Sequence, residues 1–152
     1  MHIRKIRKKD YEAVDRLLLQ LHDVDVAGRP ELFHAKDRFM SRDAFEHLID
    51  NGDICAILAQ QQGEIVGCCF SSTLDRSGMV EMKTAYIDLI VVDEQHRRQG
   101  IGKALFQAVE ARAQKLGAKR IDLTVWSHNP IAMQAYEAYG MTQQRSVYEK
   151  RI

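Results

Sequence analysis

The clearest chemical signal lies in Arg97-Arg98-Gln99-Gly100-Ile101-Gly102-Lys103. This segment follows an apolar run, Ala85–Val92, and opens a stretch with an amphipathic helical pattern. The first turn of a helix presents backbone N–H groups that have no partner inside the helix. Together with the helix dipole they attract an anion. Glycine lets a ligand approach the backbone without a Cβ in the way. Arg97, Arg98 and Lys103 add local positive charge, so a diphosphate is the natural guest. A nucleotide P-loop would need glycine where Arg97 stands and Ser or Thr where Ala104 stands. A dinucleotide fingerprint would need a third glycine where Leu105 stands. The pattern that fits is R/Q-x-x-G-x-G/A, and read alone it also suits a solvated turn.

The elements that must hold this loop follow from periodicity. Ile3–Arg7 reads as a short strand. Asp10 is placed to cap a helix bearing Val14, Leu17, Leu18 and Leu21, which should end before Gly28-Arg29-Pro30. Ser41 is placed to cap a second helix with Phe45, Leu48 and Ile49 on one face and Gly52 beyond its end. Ile54–Ala59 and Ile65–Leu74 read as a hairpin around Gln60–Glu64, with a turn at Asp75–Gly78. Ala85–Val92 is a strand, and a helix runs from the glycine loop to about Leu116, stopped by Gly117. Ile121–Val125 is the next strand. Pro130 opens a last helix that reaches Tyr139 and closes at Gly140. Ser146–Lys150 reads as a final edge strand. The order predicts one α/β domain over residues 1–152, with a mixed sheet flanked by helices.

Composition narrows the partners. The chain has 152 residues, with 22 Lys and Arg against 21 Asp and Glu, a net charge of +1. That balance gives no global field for nucleic acid or an anionic membrane, so neither is expected as a partner. No apolar run reaches the length of a signal peptide core or a membrane span. The three cysteines, Cys55, Cys68 and Cys69, lie in apolar runs and form no CxxC pair. They read as small buried hydrophobes in a reduced, cytoplasmic setting, with no metal site.

Two blocks of the chain resemble the GNAT (Gcn5-related N-acetyltransferase) family. One is Ala85-Tyr86-Ile87-Asp88-Leu89-Ile90-Val91-Val92 together with the loop to Gly102. The other is Asn129-Pro130-Ile131-Ala132-Met133-Gln134-Ala135-Tyr136-Glu137-Ala138-Tyr139-Gly140-Met141, similar to N-x-x-A-x-x-x-Y-x-x-x-G-[FM]. The resemblance implies a largely antiparallel mixed sheet in which two parallel strands splay to form a cleft for acetyl-CoA. It implies an acetyl-CoA-dependent N-acetyltransferase that moves the acetyl group directly to a primary amine through a tetrahedral intermediate, without a metal. A non-catalytic acetyl-CoA-binding module on the same fold is the alternative.

By position, the resemblance gives Ile90, Val91 and Val92 the pantetheine arm. It gives Arg97, Arg98, Gln99, Gly100, Ile101, Gly102 and Lys103 the pyrophosphate. Asn129 would contact the cofactor arm, cap the helix before Pro130, or do both. Tyr136 matches the general acid that protonates the departing thiolate. A tyrosine packed on the sheet is the plainer reading of that residue alone. Asp88 is the only acid in its apolar strand and, by alternation, shares a face with Ile90 and Val92. It is therefore the leading base, acting directly or through water, unless a Lys or Arg pairs with it. Glu81 is the second base candidate and His128, read as an exposed loop residue, the third. A main-chain N–H near Ile90 would stabilise the acetyl oxygen. The acceptor site is expected from Leu21–Phe39 and Asp75–Lys83. The last strand leaves room for a homodimer.

Overall fold

A computed structural model describes residues 1–76 and 82–152. The elements are β1 (His2–Lys5), α1 (Tyr11–Gly28), α2 (Arg42–Asp50), β2 (Ile54–Gln61), β3 (Glu64–Arg76), β4 (Met82–Val92), α3 (Ile101–Lys115), β5 (Arg120–Leu123) and α4 (Pro130–Ala138), with short 3-10 turns at Lys8–Asp10 and Glu94–His96. The five strands form one sheet in the order β1-β2-β3-β4-β5. The first four pair antiparallel, and β4 pairs parallel with β5. This is the mixed α/β sheet that the sequence pattern predicts.

Alternation along the strands divides the core between the two faces. Leu58, Cys68, Phe70 and Val91 pack with Val14, Leu17 and Leu18 of α1 and Phe45 of α2. Ile57, Ala59, Val66, Cys69 and Ile87 pack with Ile101, Leu105, Phe106 and Val109 of α3. Neighbouring Cys68 and Cys69 therefore enter opposite sides of the sheet. Both are free and buried, and burial pushes the Cys68 thiol up to about 12. Cys55 is free and only partly buried.

Local signals place most element ends. Gln62 and Gly63 take positive φ (51° and 87°) between the paired Gln61 and Glu64, the geometry of a two-residue hairpin turn. The Ser41 hydroxyl accepts from the Ala44 amide at 3.2 Å and caps α2 as expected. Asp10 does not cap α1 with its side chain. Its carboxylate instead accepts two hydrogen bonds from Arg4 (2.7 and 2.9 Å) and one from the Arg7 amide. A guanidinium fork offers this carboxylate more than a single helix amide does.

The final strand is not formed. Residues 141–152 adopt no regular structure, although Ser146–Lys150 has strand-like composition. A strand requires a ladder partner, and this segment has none within the described residues. Of the turn expected at Asp75–Gly78, Asp75 and Arg76 belong to β3. Its remaining residues lie outside the described part.

Candidate active site

The cleft begins where the parallel ladder stops. β4 pairs with β5 only from Thr84–Arg120 to Ile87–Leu123. β5 ends at Leu123, while β4 continues to Val92, leaving the β5-facing edge of Asp88–Val92 without a strand partner among the described residues. A bond of 2.7 Å between the Tyr86 and Thr124 hydroxyls ties the two strands at the point of divergence. Open backbone N–H and C=O groups at this depth suit an extended amide-bearing chain. Ile90, Val91 and Val92, the residues expected to take the pantetheine arm, lie on this edge.

Asp88 sits at an irregularity. Phe70 faces Leu89 and Ser71 faces Ile87, so Asp88 is the extra residue of a β-bulge. The bulge resets the alternation of β4. Ile87, Ile90 and Val92 lie on the α3 side, and Leu89 and Val91 on the α1 side. The simple parity count from Asp88 to Ile90 and Val92 therefore passes over a break in the strand. Asp88 itself is exposed. Desolvation raises the Asp88 pKa above the usual carboxylate range, against a hydrogen bond from Ser72 that lowers it. No Lys or Arg pairs with it among the described residues, so the ion-pair alternative is not realised.

Tyr136 lies on α4. Its ring is partly buried, 6.4 Å from that of Tyr139. Burial raises its phenol to about 12, with smaller contributions from Cys69 and Tyr139. A phenol in this state keeps its proton at neutral pH, as a general acid requires. Tyr139, the neighbour of Tyr136, packs into the α3-side core with its ring 5.2 Å from that of Phe106.

The glycine loop joins β4 to α3. Gly100 takes φ 79° as the residue before α3, and Arg98 also has positive φ (65°). The first helical bond runs from the Ala104 amide to the Gly100 carbonyl (3.0 Å). The amides of Ile101, Gly102 and Lys103 consequently have no partner within the helix. A Cβ on Gly100 would meet nothing within 4 Å, so that side of the loop is open space. A Cβ on Gly102 would lie 3.0 Å from the Tyr139 hydroxyl, which backs the loop. Arg97, Arg98, Gln99 and Lys103 are exposed, and the three cations form no ion pair among the described residues. The Arg97 Nε–H donates to the Val92 carbonyl at 3.4 Å. Open amides, free cations and an unpaired strand edge in succession fit the diphosphate and amide arm of acetyl-CoA.

The residue that fixes the loop was not legible in the pattern. Asp93, directly after β4, is buried. Its carboxylate accepts from Arg16 of α1 and from the Gln95 amide, and its own amide donates to the Val66 carbonyl at 2.9 Å. Burial raises its pKa, but the Arg16 hydrogen bond and charge, with the Gln95 amide and His96, together outweigh it and hold the carboxyl at about 2. The Arg16–Asp93 contact spans 77 positions, which single-chain spacing cannot reveal.

Asn129 caps α4, its Oδ1 accepting from the Ala132 amide at 3.2 Å. Its amide NH2 remains available to a ligand. His128 corrects an expectation: it is not an exposed loop residue. Its side chain is only 14% exposed, with Nε2 at 2.9 Å from Asp25 of α1. Its ring stacks beside Trp126 and lies where a Gly28 side chain would be, 2.4 Å from an added Cβ. Glu81 lies outside the described residues.

Of the acceptor segments, the chain after α1 folds onto the end of β5. Phe33 meets Trp126 edge-on at 5.6 Å, and the Arg29 guanidinium stands over the same indole at 5.6 Å. His22 is buried between Phe33 and Phe39 and reaches the His34 carbonyl at 2.7 Å. The expected acceptor residues from the first half of the chain therefore gather beside the β4–β5 opening. Among the described residues there is no group of three or more His, Cys, Asp or Glu side chains that could hold a metal, and no helix long and apolar enough to cross a membrane.

Comparison with known proteins agrees with this arrangement. An uncharacterized N-acetyltransferase YdgE of Bacillus subtilis (strain 168) is 30% identical over 112 residues, covering 69% of this chain and 69% of its own length. A solved structure of a BH1408 tetramutant from Bacillus halodurans superposes with a TM-score of 0.96 over 100% of both chains, at 25% identity. Aminoglycoside N-acetyltransferase AAC(6')-Iy, solved in complex with CoA, shares the fold at a TM-score of 0.74 over 99% of both chains, with 18% identity. The model of the Acetyltransferase (GNAT) family matches residues 18–141, and with that span including the splayed strands, the glycine loop and α4, the chain belongs to this family.

Proposed function

We propose that this acetyltransferase moves the acetyl group of acetyl-CoA directly to a primary amine held beside the β4–β5 opening. The observation that carries the reading is the continuity of the site. Unpartnered α3 amides adjoin the open β4 edge through the glycine loop, and Tyr136 stands on α4 beside Tyr139, whose hydroxyl backs that loop. Acetyl-CoA supplies an activated thioester carbonyl, and everything else falls to the chain. The amides of Ile101, Gly102 and Lys103, with Arg97, Arg98 and Lys103, take the diphosphate. Ile90, Val91 and Val92 align the arm along β4, and Asn129 contacts it from α4. A main-chain N–H near Ile90 faces the oxygen that gains charge as the amine attacks. Asp88, directly or through water, takes the proton that the acceptor ammonium must lose before its amine can attack. Tyr136 gives its proton to the sulfur that leaves as a thiolate.

Aromatic rings and mixed charge around Trp126, Phe33, Arg29 and Asp25 suit a polar amine. Polyamines, amino sugars, lysine side chains, peptide N-termini and small metabolite amines are the classes to screen. The test measures thiol release from acetyl-CoA in the presence of each class. Acceptor-dependent release with an acetylated product supports the enzyme. Tight acetyl-CoA binding by calorimetry without turnover on any amine would support the non-catalytic module instead.

A further inference from the structure

Two stretches far apart in sequence mate beside the β4–β5 opening. One is the last turn of α1 with its cap, where Asp25, Gly28 and Arg29 stand at i, i+3 and i+4 and so share one helix face. The Arg29 amide closes that turn on the Asp25 carbonyl at 2.8 Å. The other is the turn between β5 and α4, closed by the Asn129 amide on the Trp126 carbonyl at 3.0 Å. Each of the three residues meets this second turn. The Asp25 carboxylate lies 2.9 Å from His128 Nε2. Gly28 leaves the room that the imidazole fills, since an added Cβ would stand 2.4 Å from its Cγ and Cδ2. The Arg29 guanidinium stands over the Trp126 indole at 5.6 Å.

His128 is the centre of this contact. Its ring stacks on Trp126, with centroids 5.7 Å apart and planes inclined by 18°. Its Nδ1 is buried and has no hydrogen-bond partner among the described residues, so Asp25 is the polar anchor of the ring. The imidazole is thus gripped by a carboxylate, a helix backbone and an indole. Phe33 meets the same indole edge-on. The orientation of Trp126, and with it the aromatic wall beside the opening, therefore depends on where His128 is held.

We propose that His128 is a positioning residue for the acceptor amine: anchored by Asp25 and seated on Gly28, it holds the Trp126 wall in register with the cofactor cleft. The proposal rests on the reading of this side as the acceptor's. His128 acts through Trp126 and not on the reacting atoms. α4 keeps its own Asn129 cap, and Tyr136 lies about two helical turns further on. Loss of the ring's position should therefore disturb acceptor binding more than chemistry.

Gly28→Ala is the decisive variant, because it adds one methyl group, changes no charge and favours the helix. Its Cβ must displace the imidazole. With an acceptor found by thiol release, KM for that amine should rise about tenfold while kcat stays within about twofold of wild type. Calorimetric affinity for acetyl-CoA should be unchanged. His128→Ala should give the same rise, and Gly28→Ala should add nothing in that background, since the ring it collides with is gone. A wild-type KM in Gly28→Ala, or an equal effect of Gly28→Ala with and without His128, would overturn the proposal. If the wild-type protein turns over no amine, the acyl-transfer reading fails, and the contact is still measurable. Trp126 is the single tryptophan of the chain, so its emission reports this contact alone. Gly28→Ala should increase its quenching by acrylamide in the folded protein, and unchanged quenching overturns the positioning role.

Discussion

At the scale of single residues, the proposed site rests on two side chains whose pKa values are both raised, with opposite consequences. Burial keeps the Tyr136 proton in place to about pH 12, so the phenol is in its donor form throughout the neutral range. Tyr136→Phe removes that proton with little change in volume. We expect kcat to fall on the order of 10²-fold or more, while the calorimetric affinity for acetyl-CoA stays within about threefold of wild type. Unchanged kcat with a good acceptor would remove Tyr136 from this role. Asp88 is a carboxylate whose charged form is penalised by its surroundings. Its raised folded pKa means that ionisation costs stability as pH rises through the ordinary carboxylate range. Asp88→Asn should therefore leave Tm at pH 7 equal or higher, while kcat/KM falls on the order of 10-fold or more. A lower Tm with full activity would make Asp88 a structural residue.

At the scale of elements, the position of the glycine loop is decided by Arg16 of α1, which crosses to the buried Asp93 after β4. Because the folded pKa of Asp93 is depressed, its stabilisation is fully present above the ordinary carboxylate value. That stabilisation is lost as pH falls from about 4 toward 2. A depression of this size corresponds to about 2 kcal/mol. Denaturant titrations should show Asp93→Asn destabilised by about that amount at pH 7, with the gap to wild type closing below about pH 3. A gap independent of pH would mean that packing, rather than the Arg16 pair, is what the substitution removes. The β-bulge at Asp88 acts at the same scale. One extra residue in β4 ends the regular alternation where the parallel ladder to β5 also ends.

At the scale of the whole molecule, near-neutral net charge and anion binding are compatible because the cations are local. Arg97, Arg98 and Lys103 surround the start of α3 without ion-pair partners among the described residues. Exposed charges of this kind are screened by salt. Raising ionic strength from about 0.05 to 0.5 M should weaken acetyl-CoA binding several-fold in wild type and hardly at all when all three are alanine. Equal salt dependence in both proteins would place the diphosphate elsewhere. The first-half residues His22, Arg29, Phe33 and Phe39 also become intelligible only at this scale, gathered by Trp126 and His128 beside the cleft.

What could be read from the chain was what is local. The hairpin at Gln62-Gly63, the Ser41 cap, the glycine-opened α3 and the Asn129-Pro130 start of α4 are each written in a few neighbouring residues, because turns and caps are satisfied by groups a few positions apart. The order of elements follows from periodicity for the same reason. The tertiary structure decided whatever depends on distant partners. Asp10 gave up its capping role to Arg4, His128 left the solvent for Asp25, and Ser146–Lys150 stayed without a ladder. The Asp88 bulge belongs with these, since an extra residue is defined only against the strand it faces. Burial and pairing are properties of two segments brought together, and a carboxylate, an imidazole or an edge strand takes its role from what it meets there.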